Sequence, residues 1–394
     1  MESPPVISFD DTATAFAYKS DAELKKANFI FSLVNHPWIS AMATGLVKVA
    51  LAVRLPVEGI IKKTVFYHFC GGESIDKAAH AVEVLGKFHV GAILDYSVEG
   101  EKSEAGFDAT LEETLGTIEK AHSSSNIPFC VFKPTGLGSA ELLTKVQANE
   151  KLSLKEEAAY QRIIHRFDRV CAKGHAYGIP IMIDAEDSWY QNPIDRIVLD
   201  LMKKYNQEKA IVYNTYQLYR TAGLANLRNH FHEAVMNNVY FGAKLVRGAY
   251  MEKERARAEK MGYESPIHPN KEATDDAFNK ALAFCIDNKQ RVSVMCGSHN
   301  EYSNQYLTLL MEKHSMKPDD KRAWFAQLYG MSDNISFNLA KAGYNVVKYL
   351  PYGPVRSVMP YLLRRAAENT SVAGQSSREL TFIKKELKRR RTVN

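Results

Sequence analysis

Tyr361, Arg364, Arg365 and Glu368 fall at i, i+3, i+4 and i+7 within YLLRRAAEN, so a helix presents all four on one face. Two adjacent guanidinium groups form a fork of planar, permanently charged donors suited to a carboxylate or phosphate. A tyrosine beside them adds an apolar wall with a polar tip. The competing reading is an ordinary solvated face, because Val358, Leu362 and Ala366 form an apolar stripe on the other side of the same helix.

These residues can act only if the chain packs them beside others, and composition permits that. The 394 residues are 45% hydrophobic and 24% charged, enough for a sizeable core in one large domain or two medium ones. The net charge of +6 gathers partly at Lys384, Lys385, Lys388, Arg389, Arg390 and Arg391, which reads as a solvated tail able to touch an anionic surface. No base-reading motif accompanies it, so nucleic acid is not an expected partner. Five dispersed cysteines without a CxxC argue for reduced thiols and against a disulfide framework or structural zinc. His230 and His232 lack HExxH spacing and read as helix-surface histidines; no metal site is expected. The opening MESPPVISFDD carries no basic n-region or amphipathic presequence. The most apolar stretch, Ile39 to Val65, is broken by Lys48, Arg54, Pro56, Lys62 and Lys63 and offers no membrane-spanning length.

Eight short apolar runs bounded by Gly or Pro predict strands: GAILDYSV from 91, IPFCVFKP from 127, IPIMIDAE from 179, AIVYNTYQ from 210, GAKLVRGA from 242, RVSVMCGS from 291, RAWFAQLYG from 322 and NVVKYLPYG from 345. Helical periods lie between them, as in Leu152 to Tyr177, Pro193 to Tyr205, Gln217 to Asn237 and Asp275 to Lys289. Eight βα units match a (βα)8 TIM-type barrel better than an open doubly wound sheet. MGYESPIHPN, with Gly262, Pro266 and Pro269, is an inserted loop after the fifth strand. The expected organisation is a helical arm over 1–85, the barrel over 86–375 and a basic tail over 376–394.

Barrel enzymes place chemistry at the C-terminal ends of strands. In chain order those positions hold Glu99, Lys133, Asp184 with Glu186, Asn214 with Gln217, Arg247, then Ser298, His299 and Asn300, then Leu328 with Tyr329, and Tyr349. Lys133, Arg364 and Arg365 make a three-cation set for a small carboxylate. Arg247, with Gly248 and Ala249 giving backbone access, and His299 with Asn300 form a second donor set suited to a phosphate-bearing cofactor. There is no Walker motif, and Gly136-x-Gly138 lacks the rest of a Rossmann fingerprint, so a dinucleotide would be held by barrel loops.

KLVRGAYMEKERARA, CGSHN, YLPYG and YLLRRAAEN, in that order on those strands, resemble the flavin-dependent proline dehydrogenase family from about Asp95 to Asn369. NTYQ and ERARA are similar to its monofunctional, eukaryotic-like branch. The resemblance implies that the last helix lies over the barrel mouth. Arg364, Arg365 and Lys133 would then clamp a substrate carboxylate, with Leu328, Tyr349 and Tyr361 walling its ring. Glu99 would pair with Arg364 as a gate, and Asp184 would hold Lys133 or a water. For FAD, it implies Asn214 or Gln217 near the isoalloxazine, Lys244 near N5, and Arg247, Gly248 and Ala249 along the ribityl and pyrophosphate. Ser298, His299 and Asn300 would meet the phosphates and Glu368 a ribose. Lys244 and Met251 stand where bifunctional relatives often carry Arg and Trp.

The implied reaction is oxidation of L-proline to 1-pyrroline-5-carboxylate by hydride transfer to flavin N5, with electrons passed to quinone and peripheral contact with a membrane. The alternatives are a hydroxyproline dehydrogenase, a Schiff-base lyase or aldolase using Lys133, and a non-catalytic proline-binding barrel. The resemblance favours proline, since it implies that Tyr349 would crowd a ring hydroxyl where hydroxyproline-specific relatives tend to carry a smaller residue. The expected location is the cytoplasm at the inner-membrane face, or the mitochondrial matrix in a eukaryote. Oligomeric state is not legible.

Overall fold

The computed structural model describes residues 7–34, 58–97, 101–371 and 375–393. Eight strands are β1 (Val90–Tyr96), β2 (Cys130–Phe132), β3 (Ile181–Ile183), β4 (Val212–Gln217), β5 (Phe241–Val246), β6 (Val292–Gly297), β7 (Ala323–Leu328) and β8 (Val346–Tyr352). They form one sheet in the order β1-β8-β7-β6-β5-β4-β3-β2. From β2 to β8 sequence neighbours are sheet neighbours, and β1 lies beside β8, the cyclic order of a nearly closed (βα)8 barrel. Every expected run overlaps its strand, with β1 and β5 each beginning one residue ahead of theirs. The runs are legible because strands buried on both faces have no polar side to alternate with.

Before β1 come α1 (Thr12–Ala15), α2 (Asp21–Val34) and α3 (Ile75–Gly86). The helices that follow successive strands are α4 (Glu104–His122), α5 (Leu154–Tyr177), α6 (Gln191–Tyr205), α7 (Gly223–Met236), α8 (Met251–Met261) with α9 (Lys271–Asp287), α10 (Glu301–Lys313), α11 (Asp333–Lys341) and α12 (Val355–Ser371). A last helix is α13 (Gln375–Val393). Local chemistry sets their ends: a Ser153/Glu156 capping box opens α5, and Gly178, at φ 68°, closes it. The insert after α8 is tied to the end of β4, for Thr221 N donates to Pro266 O at 2.9 Å and His268 N to Tyr219 O at 2.8 Å.

Two compact units emerge: Met1–Glu99 with Gln327–Asn394, and Gly100–Ala326. In the first, Phe16, Leu24, Phe31, Phe66, Phe69, Val358, Leu362 and Ile383 join one apolar cluster, so the arm, α12 and α13 share a core. The basic C-terminal segment is therefore a docked helix. Its buried Glu386 accepts from Arg389 at 2.7 Å and Arg390 at 2.8 Å, while Lys384, Lys388 and Arg391 stay exposed. In the second unit, Phe129 meets Tyr213 and Trp324 edge-on, with centroids at 5.5 and 5.1 Å, filling one face of the sheet with aromatic rings.

Candidate active site

Strand alternation decides which polar residues share a face with that aromatic filling. On β2, Phe132 packs edge-on against Phe167 of α5, which puts Phe129 and Lys133 on the opposite side. On β3, Ile181 backs Gly174 of α5, leaving Asp184 opposite. On β5, Phe241 meets Phe231 of α7, leaving Lys244 opposite. Tyr213 joins Phe129, so Gln217, four residues on, shares its face. Lys133, Asp184, Gln217 and Lys244 thus converge on the inner side at the C-terminal strand ends. Lys244 Nζ reaches past β4 to Asp184 Oδ1 at 2.6 Å. The same alternation turns Asn214 outward, where its Nδ2 donates to Asp195 of α6 at 2.9 Å and its Oδ1 accepts from Thr215 N at 3.0 Å.

Gln217 donates through Nε2 to Glu186 O at 2.7 Å, while its buried Oε1 has no partner. Of the two residues that NTYQ leaves open, it is the one with an open acceptor for a ligand N–H. Gly248 and Ala249 are exposed after β5, and Gly248 sits at φ 136° with the Tyr219 ring where a Cβ would go. Arg247 holds this region together: Nε donates to Asp275 at 2.7 Å, Nη1 to Ser298 at 2.8 Å and Nη2 to Ser303 at 2.9 Å, with the guanidinium 4.4 Å from the Phe278 ring centroid. Asn300 caps α10 by accepting from Ser303 N at 3.0 Å, which sets Ser298, His299 and Asn300 at a helix N-terminus. An orphaned acceptor, open backbone and a cation beside a helix start fit a cofactor with ring N–H groups and phosphates. Three of Arg247's donor contacts go to protein, so it shapes the loop as well as contributing charge.

In the other unit, Tyr361 is 4% exposed and Arg365 7%, with the guanidinium carbon 5.2 Å from the Tyr361 ring centroid; Arg364 is half-buried. The solvated-face reading fails at Arg365. Gln327 of β7 accepts from Ser336 of α11 at 2.8 Å, which puts Leu328 on the opposite face. Lys348 of β8 meets Asp333 of α11 at 2.9 Å, which does the same for Tyr349. Tyr329 N donates to Tyr349 O at 2.8 Å. Glu99 and the Glu368 side chain lie outside the described residues, and with them the expected gate and ribose contact.

Sequence reasoning left three groups here without a role. Glu186 is buried and accepts from Thr135 N at 2.8 Å and Oγ1 at 2.6 Å; burial pushes its carboxyl up to about 7, against the pull of those bonds and of Lys133. Glu254, the first residue of ERARA, is fully buried and accepts from Ser188 N and Oγ at 2.6 Å, tying α8 to the loop after β3. Tyr219 keeps a buried hydroxyl without a partner under Gly248. Each carries its meaning through a contact distant in sequence, which periodicity cannot register. His230 also departs from the surface reading: its Nδ1 lies 3.1 Å from Tyr216 OH and the ring is half-buried, whereas His232 is exposed.

The family model described as proline dehydrogenase matches residues 78–378, through the strands, the rim and α12. The chain belongs to the proline dehydrogenase family. It is an oxidoreductase of that family, and two curated relatives span most of its length. Proline dehydrogenase 1, mitochondrial, of Dictyostelium discoideum is 32% identical over 96% of this chain and 74% of its own. The carbapenem antibiotics biosynthesis protein CarD of Pectobacterium carotovorum is 35% identical over 82% and 83%. The human proline dehydrogenase 1, mitochondrial, is 42% identical over 61% of this chain and 41% of its own. Among solved structures, proline utilization A from Bdellovibrio bacteriovorus, inactivated by N-propargylglycine, superposes with a TM-score of 0.72 at 20% identity, over 95% of this chain. The chain spans about two fifths of that protein, and the likeness speaks to the fold.

Proposed function

We propose that this proline dehydrogenase family chain oxidises L-proline to 1-pyrroline-5-carboxylate with FAD as its cofactor. The observation that carries the reading is the convergence of Lys133, Asp184, Gln217 and Lys244 at the inner C-terminal strand ends, in a chain whose match to the proline dehydrogenase family model runs over residues 78–378. Arg364, Arg365 and Lys133 bind the proline carboxylate, each charge-assisted bond contributing about 1.5–3 kcal/mol. Their summed charge lowers the pKa of the substrate amine and favours loss of its proton to water. Leu328, Tyr349 and Tyr361 wall the ring and exclude solvent from it. Asp184, held by Lys244, orients a water beside the ring without adding net charge. Gln217, Lys244, Arg247, Gly248, Ala249, Ser298, His299 and Asn300 hold FAD, with Glu368 at a ribose. FAD, when bound, accepts the hydride that leaves the ring carbon beside nitrogen.

Electrons then pass to quinone at a membrane surface, in the mitochondrial matrix or at the bacterial inner-membrane face. Mitochondrial names among the relatives support the first location, and the exposed cations of α13 support an anionic surface. No helix among the described residues is long and apolar enough to cross a membrane. The test is the anaerobic visible spectrum of the purified protein before and after adding L-proline. Bleaching of a flavin spectrum is the expected result; a colourless protein, or a spectrum indifferent to proline, would overturn the assignment.

A further inference from the structure

The unit formed by Met1–Glu99 and Gln327–Asn394 contains charged groups withdrawn from water that the reaction does not use. Lys348, fully buried on β8, precedes Tyr349. Its Nζ meets Asp333 Oδ1 at 2.9 Å and donates to the carbonyls of Leu328, at 3.4 Å, and Met331. Asp333 Oδ2 in turn accepts from Tyr18 OH at 2.7 Å and Lys19 Nζ at 2.8 Å. Glu379 of α13 accepts from Ser332 N. Burial alone would raise the Asp333 carboxyl, but Lys19 and Lys348 together hold it below the usual carboxylate range.

The turn after β7 is therefore gripped from four directions: by β8 through Lys348, by the segment after α1 through Tyr18 and Lys19, by α13 through Glu379, and by the His68 carbonyl. That carbonyl sits so close to Gly330, at φ 77°, that a Cβ there would overlap it. Ser332 is held at φ 50°, a left-handed conformation that persists only where the surroundings over-determine it. If the cluster merely anchored the terminal helices, apolar packing would do so without the cost of withdrawing each ion from water. Directed bonds to the Leu328 and Met331 carbonyls are what the ions add.

We propose that Asp333 and Lys348 are positioning residues that fix Leu328 and Tyr349 closely enough for the pocket to distinguish a bare five-membered ring from one bearing a hydroxyl. The inference rests on the proposed oxidation of proline by this chain. It gives the N-terminal and C-terminal helices a part in substrate choice although neither Tyr18 nor Glu379 is assigned a contact with substrate. The mechanism is loss of play: a wall free to shift by a fraction of an ångström admits the extra oxygen.

The experiment compares native holoenzyme with Tyr18→Phe, which removes one bond to Asp333, and with Asp333→Asn. Steady-state rates are read with L-proline and with trans-4-hydroxy-L-proline, alongside flavin content and melting temperature. For Tyr18→Phe the expected result is a raised KM for proline, little change in kcat, unchanged flavin, and a fall of about fivefold in the proline-to-hydroxyproline ratio of kcat/KM, with a larger fall for Asp333→Asn. A native ratio in folded Tyr18→Phe, even with a lowered melting temperature, would reduce the cluster to an anchor and overturn the inference. Should Asp333→Asn fail to fold, Tyr18→Phe decides alone. Failure of native enzyme to reduce its flavin with proline would overturn the functional reading and the inference together, whereas an unchanged ratio overturns only the inference.

Discussion

The two compact units present the cations proposed to meet ligands on different kinds of element. In Gly100–Ala326 the rim residues stand on strand ends and already have protein partners, Lys244 on Asp184 and Arg247 on Asp275, Ser298 and Ser303. In the other unit Arg365, 7% exposed, sits on a helix beside Leu362 with its guanidinium over the Tyr361 ring. A pre-paired, strand-borne set suits a cofactor that stays bound, since its geometry exists before the ligand arrives. A helix-borne cation suits a substrate that enters and leaves. On the proposed reading, binding of flavin and binding of proline should be separable by mutation.

Arg365→Ala should test this most severely. Losing two charge-assisted bonds of about 1.5–3 kcal/mol each raises the KM for proline by at least about a hundredfold. Flavin absorbance should be retained; simultaneous loss of flavin would erase the distinction between the units, and unchanged kinetics would reject the clamp. Arg247→Ala attacks the other side. It releases Asp275, Ser298 and Ser303 together, so the protein should purify with little flavin, read as the ratio of visible to ultraviolet absorbance. Full occupancy would contradict its role.

A smaller effect is expected for Gly248→Ala, whose added methyl meets the Tyr219 ring at a backbone angle costing about 1–3 kcal/mol. Melting temperature and flavin affinity should both fall, with proline KM following only in proportion to cofactor loss. The smallest effect concerns pH. Glu186 stands at about 7 in the folded chain against an ordinary 4.5, so the folded state holds this proton more tightly than the unfolded one. Its contribution to stability is full below about 4.5 and is lost as pH rises through about 7. Glu186→Gln should therefore gain melting temperature relative to native protein between pH 5 and pH 8, an interval of about that width; parallel curves would place the carboxyl in an ordinary environment.

Sequence alone carried the strands, because runs such as IPIMIDAE and RVSVMCGS are apolar on both faces. It did not carry the phase of alternation. NTYQ reads equally well with Asn214 or Gln217 inward, and only Asp195 on α6 and Phe129 before β2 break the tie. The arginine helix posed the same difficulty: its period is identical whether the polar face meets water or protein, and the burial of Arg365 is a tertiary fact. Glu186 was dismissible because its partner Thr135 lies 51 residues away. Nothing near it in sequence announces a carboxyl without solvent.

The pairing of α13 with the arm has a consequence for synthesis. Arg390 donates to Asp21 Oδ1 and to the Lys19 carbonyl, a contact closed across 369 residues of chain. While a ribosome works from one end to the other, α2 emerges early and must wait for its mate. Gly100–Ala326 can condense meanwhile, since its partners lie within its own span. The arm, with Phe16, Leu24 and Phe31 uncovered until Ile383 arrives, is the stretch where a chaperone holding nascent chain would be needed longest.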